Sequence, residues 1–113
     1  MKFSESLKRN SDFKEVYSYG KSSANKYLVM YVKKNNLCKN RLGITVSKKV
    51  GNSPIRHRVT RLIRESYRLN EKDIKMGYDI VIIARVKSSE VSYNEISSSF
   101  INLLEYHHLL NHS

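Results

Sequence analysis

Arg41-Leu42-Gly43-Ile44-Thr45-Val46-Ser47, then Gly51-Asn52-Ser53-Pro54-Ile55-Arg56-His57-Arg58-Val59-Thr60-Arg61-Leu62-Ile63-Arg64-Glu65-Ser66-Tyr67-Arg68, then Tyr78-Asp79-Ile80-Val81-Ile82-Ile83-Ala84-Arg85 read in turn as strand, helix and strand. In the first segment Leu42, Ile44 and Val46 alternate with Gly43, Thr45 and Ser47, the period of a strand with one apolar face. In the second, Gly51-Asn52 gives a tight entry, Ser53 is placed to cap the helix, and Pro54 stands first in it, where a missing N–H costs nothing. Wound at about 100° per residue, residues 54–68 gather Ile55, Val59, Leu62, Ile63 and Ser66 into one stripe, which belongs to the core. In the third, Ile80 to Ala84 is apolar without alternation, as in a strand buried on both faces. Together these segments make a crossover unit, and the fold class follows: a small α/β (α+β) sandwich of one sheet with helices.

The flanks extend the pattern. Ser11 or Asp12 is placed to cap a short helix carrying Phe13, Val16 and Tyr17 on one face, with Gly20 to end it. Residues 26–33 alternate Tyr27, Val29, Tyr31 and Lys33 against Leu28, Met30 and Val32, a strand with one aliphatic face. The polar run from Asn35 to Asn40 reads as a hairpin-like connection, so this strand is expected to pair with the strand over 41–47. Ser92 with Glu95 makes a capping box for a last helix whose Ile96, Phe100, Leu103 and Leu104 share a face. The expected order is α-β-β-α-β-α, with room for one short extra strand, in a single domain spanning residues 1–113.

Charge narrows the function. The chain has 21 Lys and Arg against 10 Asp and Glu, a net charge of +11 in 113 residues, the balance of a protein that seeks a polyanion. The outward arc of the 54–68 helix collects His57, Arg58, Arg61, Arg64 and Arg68, with Glu65 the only acid among them and Arg56 near the edge of the apolar stripe. Arginines so spaced repel by a few tenths of a kcal/mol per pair, roughly what an ion pair gains, so an external polyanion is the natural offset. Tyr17, Tyr27 and Tyr31 with Phe13 supply rings that serve either core packing or base stacking.

Other chemistries are poorly supplied. Each aspartate has a local explanation as a cap, loop charge or strand-edge charge, and Cys38 lies in a polar loop without a histidine nearby. His108 and His112 have a chelating spacing at the chain end but lack a third ligand, so no protein-held metal is expected. There is no phosphate-binding Gly-rich loop, and no apolar run approaches the roughly 18–20 residues needed to cross a bilayer. One cysteine and a charged start in place of a signal peptide point to the cytoplasm. The chain is expected to bind, with no catalytic residue of its own.

Ser47-Lys48-Lys49-Val50-Gly51-Asn52 followed by Arg56-His57-Arg58-Val59-Thr60-Arg61-Leu62-Ile63-Arg64-Glu65 resembles the signature of the bacterial ribonuclease P protein subunit, an Arg-Asn-Arg core followed by Lys-Arg and Arg-Glu. Leu7-Lys8, Asp12-Phe13, Val16-Tyr17, Gly20, Leu42 to Ser47 and Asp79 to Arg85 fall in the order that family shows. The resemblance implies a fold like domain 2 of ribosomal protein S5, with a left-handed βαβ crossover. It also implies a protein that assists a catalytic RNA in cutting the 5′ leader from precursor tRNA, with Mg²⁺ held mainly by the RNA and substrate. By position, Lys48, Lys49, Arg56, His57, Arg58, Arg61 and Arg64 would face the RNA subunit, and Phe13, Tyr17 and Tyr31 would line the leader cleft. No membrane or small-molecule substrate is implied.

Two other classes share parts of this pattern. A structural or ribosomal RNA-binding module has the charge and the sheet without a substrate cleft, and a DNA-binding domain could lay the basic helix in a major groove, although no paired helix or dimer zipper is evident. Against the family, His57 replaces Asn, Thr60 replaces Lys, and Ser53-Pro54 stands where Ala-Val is common. Thr60 forfeits a phosphate contact, whereas His57 keeps an Asn-like donor and acceptor only while neutral. RNA affinity should therefore vary more between about pH 5.5 and 8 than in a His57→Asn variant. Equal affinities across that range, measured by filter binding, would refute this.

Overall fold

The computed structural model describes residues 3–111 and places ten elements along them. They run β1 (Ser4–Ser6), α1 (Asn10–Tyr19), β2 (Lys21–Ala24), β3 (Leu28–Lys34), β4 (Asn40–Thr45), α2 (Ser53–Asn70), a 3-10 turn (Glu71–Asp73), β5 (Tyr78–Ala84), a second 3-10 turn (Val86–Glu90) and α3 (Tyr93–Tyr106). The five strands form one mixed sheet in the order β1-β4-β5-β3-β2. Two short edge strands, β1 and β2, thus extend the expected order where room was left for one. No described helix is long and apolar enough to cross a membrane.

The expected pairing of β3 with β4 does not occur. β5 lies between them, parallel to β4 with Leu42 beside Ile80, and antiparallel to β3 with Val32 beside the same residue. The reason is burial: Asp79, Ile80, Val81, Ile82 and Ala84 are all closed to solvent, which only a central strand covered on both faces allows. The polar connection before β4 is also more than a loop. Asn40 is fully buried, its amide donating to Lys75 O at 2.9 Å and its carbonyl accepting from Tyr78 N at 2.9 Å, which ties β4 to the approach into β5.

The sheet has unequal faces. Leu28, Met30, Val32, Leu42, Ile80, Ile82 and Ala84 meet Val59, Ile63 and Tyr67 of α2 and Ile96, Phe100, Leu103 and Leu104 of α3 in the main core. The other face has only α1, in a small cluster of Leu7, Val16 and Val81 with Phe13, Tyr31 and Ile83. Tyr67, one turn beyond Ile63, extends the expected α2 stripe and reaches Ser4 of β1 through its hydroxyl at 2.6 Å. Tyr27 departs from the tyrosine face assigned to it. Asn25 accepts from the backbone N–H of Tyr27 and Leu28, so Tyr27 lies in a turn before β3, packs against the main core, and donates its hydroxyl to Glu95.

The helix ends are corrected in two places. Asn52, not Ser53, caps α2, accepting from Ile55 N at 3.1 Å, and neither Ser11 nor Asp12 caps α1, which starts at Asn10 after an N-cap Arg9 with no side-chain cap. The Ser92–Glu95 capping box on α3 forms as expected.

Asp79, read from sequence as a strand-edge charge, is buried and receives a two-pronged bond from Arg41 of β4, Nε to Oδ1 at 2.8 Å and Nη2 to Oδ2 at 2.6 Å. Asn35 donates to the same carboxylate at 2.9 Å. Burial pushes the Asp79 carboxyl up, but the bonds from Arg41 and Asn35 outweigh it and hold the group below its ordinary value. A carboxylate depressed on folding stabilises the native state above its unfolded pKa and loses that contribution as pH falls through the folded value. Asp79→Asn should cost about 2 kcal/mol near neutral pH, below the roughly 3–5 kcal/mol of a fully buried pair because Arg41 keeps partial contact with water. The gap between the urea midpoints of the two proteins should narrow as pH falls below about 5; a gap independent of pH would contradict this account.

Candidate nucleic-acid interface

The basic side chains fall on the outer arc of α2 and the loop that leads into it. Lys48 and Lys49 are exposed in a turn closed by Val50 N to Ser47 O at 3.1 Å and anchored by the buried Val50. Gly51 follows because a Cβ there would meet Ile55 Cγ2 at 2.8 Å, so the chain can enter α2 tightly only without a side chain. His57, Arg61 and Arg64 project to solvent. Arg56 is half-buried; its Nη2 donates to Ser53 Oγ at 3.0 Å, while its Nε is closed to solvent without a partner. Arg56, His57 and Thr60 share a shallow depression with Ile44, Val46 and Ser53.

The arc is not uniform. Arg58 donates to the carbonyls of Ser89 and Val91, closing the second 3-10 turn, and Arg68 pairs with Glu65 one turn back. Among the described residues no carboxylate pairs with Lys48, Lys49, Arg56, His57, Arg61 or Arg64. That set is left to an external anion.

On the opposite face of the sheet, Phe13, Tyr17 and Tyr31 come together as the sequence places them. The Phe13 and Tyr17 ring centroids lie 6.4 Å apart, and Tyr17 meets Tyr31 edge-on at 5.0 Å. Phe13 owes its seat to Gly43 of β4, where a Cβ would stand 2.6 Å from the ring. Tyr17 is exposed and the other two rings half-buried, so this ladder keeps a flank open to water.

Where β4 and β5 end, Lys26, Lys49, Arg85 and Lys87 line a depression with Ile83. Ile83 also packs in the cluster with Phe13 and Tyr31, so the basic depression and the aromatic cluster adjoin. Lys26, Arg85 and Lys87 carry no helical periodicity, and only the register of β3 against β5 brings them together. Cys38 is exposed in its loop; His112 lies outside the described residues, which contain no cluster of three or more metal-ligating side chains.

The family model described as Ribonuclease P matches residues 1–108. The ribonuclease P protein component of Lachnoclostridium phytofermentans is 59% identical over 110 residues, covering 97% of this chain and 95% of the relative. That of Clostridioides difficile is 55% identical over 100 residues, with 88% of each chain covered. Among solved structures, the Staphylococcus aureus RNase P protein superposes with a TM-score of 0.87 at 34% identity, covering 94% of this chain and 97% of that one. The Thermotoga maritima RNase P protein gives 0.83 at 36% identity, with coverages of 90% and 96%.

The arginines of α2 divide into those with partners within the fold and those without, and stability should register the division. Arg58→Ala should lower the unfolding free energy by about 1 kcal/mol, since it strips two carbonyls of their donor. Arg61→Ala and Arg64→Ala should stay within about 0.5 kcal/mol of the parent. Urea unfolding of the three variants makes the comparison, and equal losses in all would discount the Arg58 contacts.

Proposed function

Because the chain belongs to the bacterial ribonuclease P protein family, we propose that it grips the catalytic RNA through α2 and the loop before it, and the 5′ leader of precursor tRNA through the cleft beneath α1. As a member of that family it is the protein component of the ribonucleoprotein that processes tRNA 5′ ends. The observation that carries the leader reading is the ladder of Phe13, Tyr17 and Tyr31 on the one sheet face that α2 and α3 leave uncovered. A single strand entering it would stack bases on rings, at about 1–3 kcal/mol per base, without the protein reading sequence. Lys26, Lys49, Arg85 and Lys87 line the adjoining depression, where the strand's phosphates would pass.

Lys48, Lys49, Arg56, His57, Arg61 and Arg64 supply the contacts to the RNA subunit. Arg58 belongs to this arc by position but spends its guanidinium on Ser89 and Val91, so its share is smaller. On this reading hydrolysis of the phosphodiester falls to the RNA, with Mg²⁺ held mainly by RNA and substrate. This chain's residues neutralise phosphates and orient the strand to be cut.

Added to a bacterial ribonuclease P RNA and a precursor tRNA at low Mg²⁺, the protein should release the leader at the mature 5′ end where the RNA alone barely reacts. Phe13→Ala with Tyr31→Ala should weaken binding of the leader-bearing substrate about tenfold, and leave binding of mature tRNA unchanged. Absence of any stimulation by the folded protein would favour a structural RNA-binding module without a substrate cleft.

A further inference from the structure

The head of α1 is unusual in how it is fixed. Its N-cap residue, Arg9, offers no side-chain bond, and Phe13 N reaches Arg9 O only at 3.3 Å. Asp12, in the first turn, instead points toward the sheet, where Arg41 Nη1 lies 3.6 Å from its Oδ2. Arg41 itself does not wander, because Nε and Nη2 are both committed to the buried Asp79. A guanidinium locked by one carboxylate presents its remaining nitrogen at a fixed point, with little side-chain entropy left to lose.

Asp12 and Phe13 are consecutive on the helix, and Arg41 and Gly43 are two apart on β4, so both strand residues face α1. The pair therefore sits beside the place where the Phe13 ring meets Gly43. At the next turn, Glu15 lies 3.9 Å from Lys33 of β3. The apolar cluster under α1 is small, so these two pairs contribute a larger share of its anchoring than a surface ion pair normally would.

We propose that Arg41 is a positioning residue for the leader cleft: fastened by Asp79, it holds Asp12 at the uncapped head of α1 and so keeps the Phe13 ring seated on Gly43. This rests on the reading of Phe13, Tyr17 and Tyr31 as the leader-binding surface. It also accounts for the carboxylates of Asp12 and Glu15 on a helix that faces a polyanion, since each is matched by a cation from the sheet. Lys in place of Arg41 could not bond both Asp79 oxygens and reach Asp12 from one rigid plane.

The test uses Asp12→Asn, which leaves the Arg41–Asp79 fork intact, in holoenzyme reconstituted with the catalytic RNA. Affinity for leader-bearing precursor tRNA should fall about three- to fivefold, the range of a single ion pair, while affinity for mature tRNA stays unchanged and Asp12→Glu restores most of the loss. In the free protein the Gly43 α-proton resonances, shifted by the Phe13 ring current, should move toward unshifted positions in Asp12→Asn. Phe13→Ala run in parallel separates the two claims. If it loses leader affinity while Asp12→Asn changes neither affinity nor the Gly43 resonances, the role of Arg41 is overturned and the cleft reading stands. If Asp12→Asn binds leader more tightly, Asp12 merely repels phosphates and the role is likewise overturned. If Phe13→Ala binds leader normally, the cleft reading fails and the role of Arg41 fails with it.

Discussion

Burial of β5 on both faces is the constraint from which the rest of the architecture follows. A strand reading Ile80-Val81-Ile82-Ile83-Ala84 has no side to give to water, so it must sit between two strands and beneath two layers. α2 and α3 supply one layer with a full apolar stripe each. The other layer is the ten residues of α1 and the chain just before it, too little to cover five strands. Exposed aromatic surface on that side is thus a consequence of the element lengths, and a strand of nucleic acid is a chemically suitable cover for it.

Much of this was legible in the chain. The periodicities of 42–46, 54–68 and 93–104 reported elements and core faces directly, because burial against a sheet imposes the spacing it reveals. Pairing was not legible. The polar run Asn35 to Asn40 looks like a hairpin turn because its asparagines are turn formers, yet Asn40 is buried and bonded to the segment before β5. Local composition cannot report a partner nearly forty residues away. The same limit hid Asp79, whose partners Arg41 and Asn35 lie on other segments, and the junction of Lys26 with Arg85 and Lys87. At the helix starts, Asn52 and Ser53 are adjacent residues of equal capping propensity, of which Asn52 caps, whereas α1 begins after Arg9 without a side-chain cap and Asp12 pairs with Arg41 instead.

The electrostatics follow from how few acids there are and where they go. Glu5 pairs with Lys39, Asp12 and Asp79 with Arg41, Glu15 with Lys33, Glu65 with Arg68, and Glu95 closes the α3 capping box. Nearly all of these pairs hold one element to another or close a helix end, and only Glu65 tempers the basic arc. The cations in the first three turns of α2 are left without carboxylates, so the excess charge of the chain is concentrated where an RNA would meet it. Like-charge repulsion along that arc weakens the isolated helix slightly, and the apolar stripe of Val59, Ile63 and Tyr67 offsets it through burial.

The two proposed binding surfaces are thereby mechanically joined. α2 follows β4 directly and packs on one face of the sheet, while the Phe13 ring rests on Gly43 of the same strand from the other face. Between them the backbone of β4 is hydrogen-bonded to β5 from Arg41 to Thr45, a register that cannot slip without turning every buried side chain of the strand outward. The separation between the arginines that would hold the catalytic RNA and the rings that would hold its substrate is therefore set by the pleat of one strand. A cofactor that only increased attraction between RNA and tRNA could be a flexible basic tail. A close-packed sheet with a ligand surface on each side would also fix where the substrate lies relative to the RNA that cuts it, a contribution of a folded domain beyond charge.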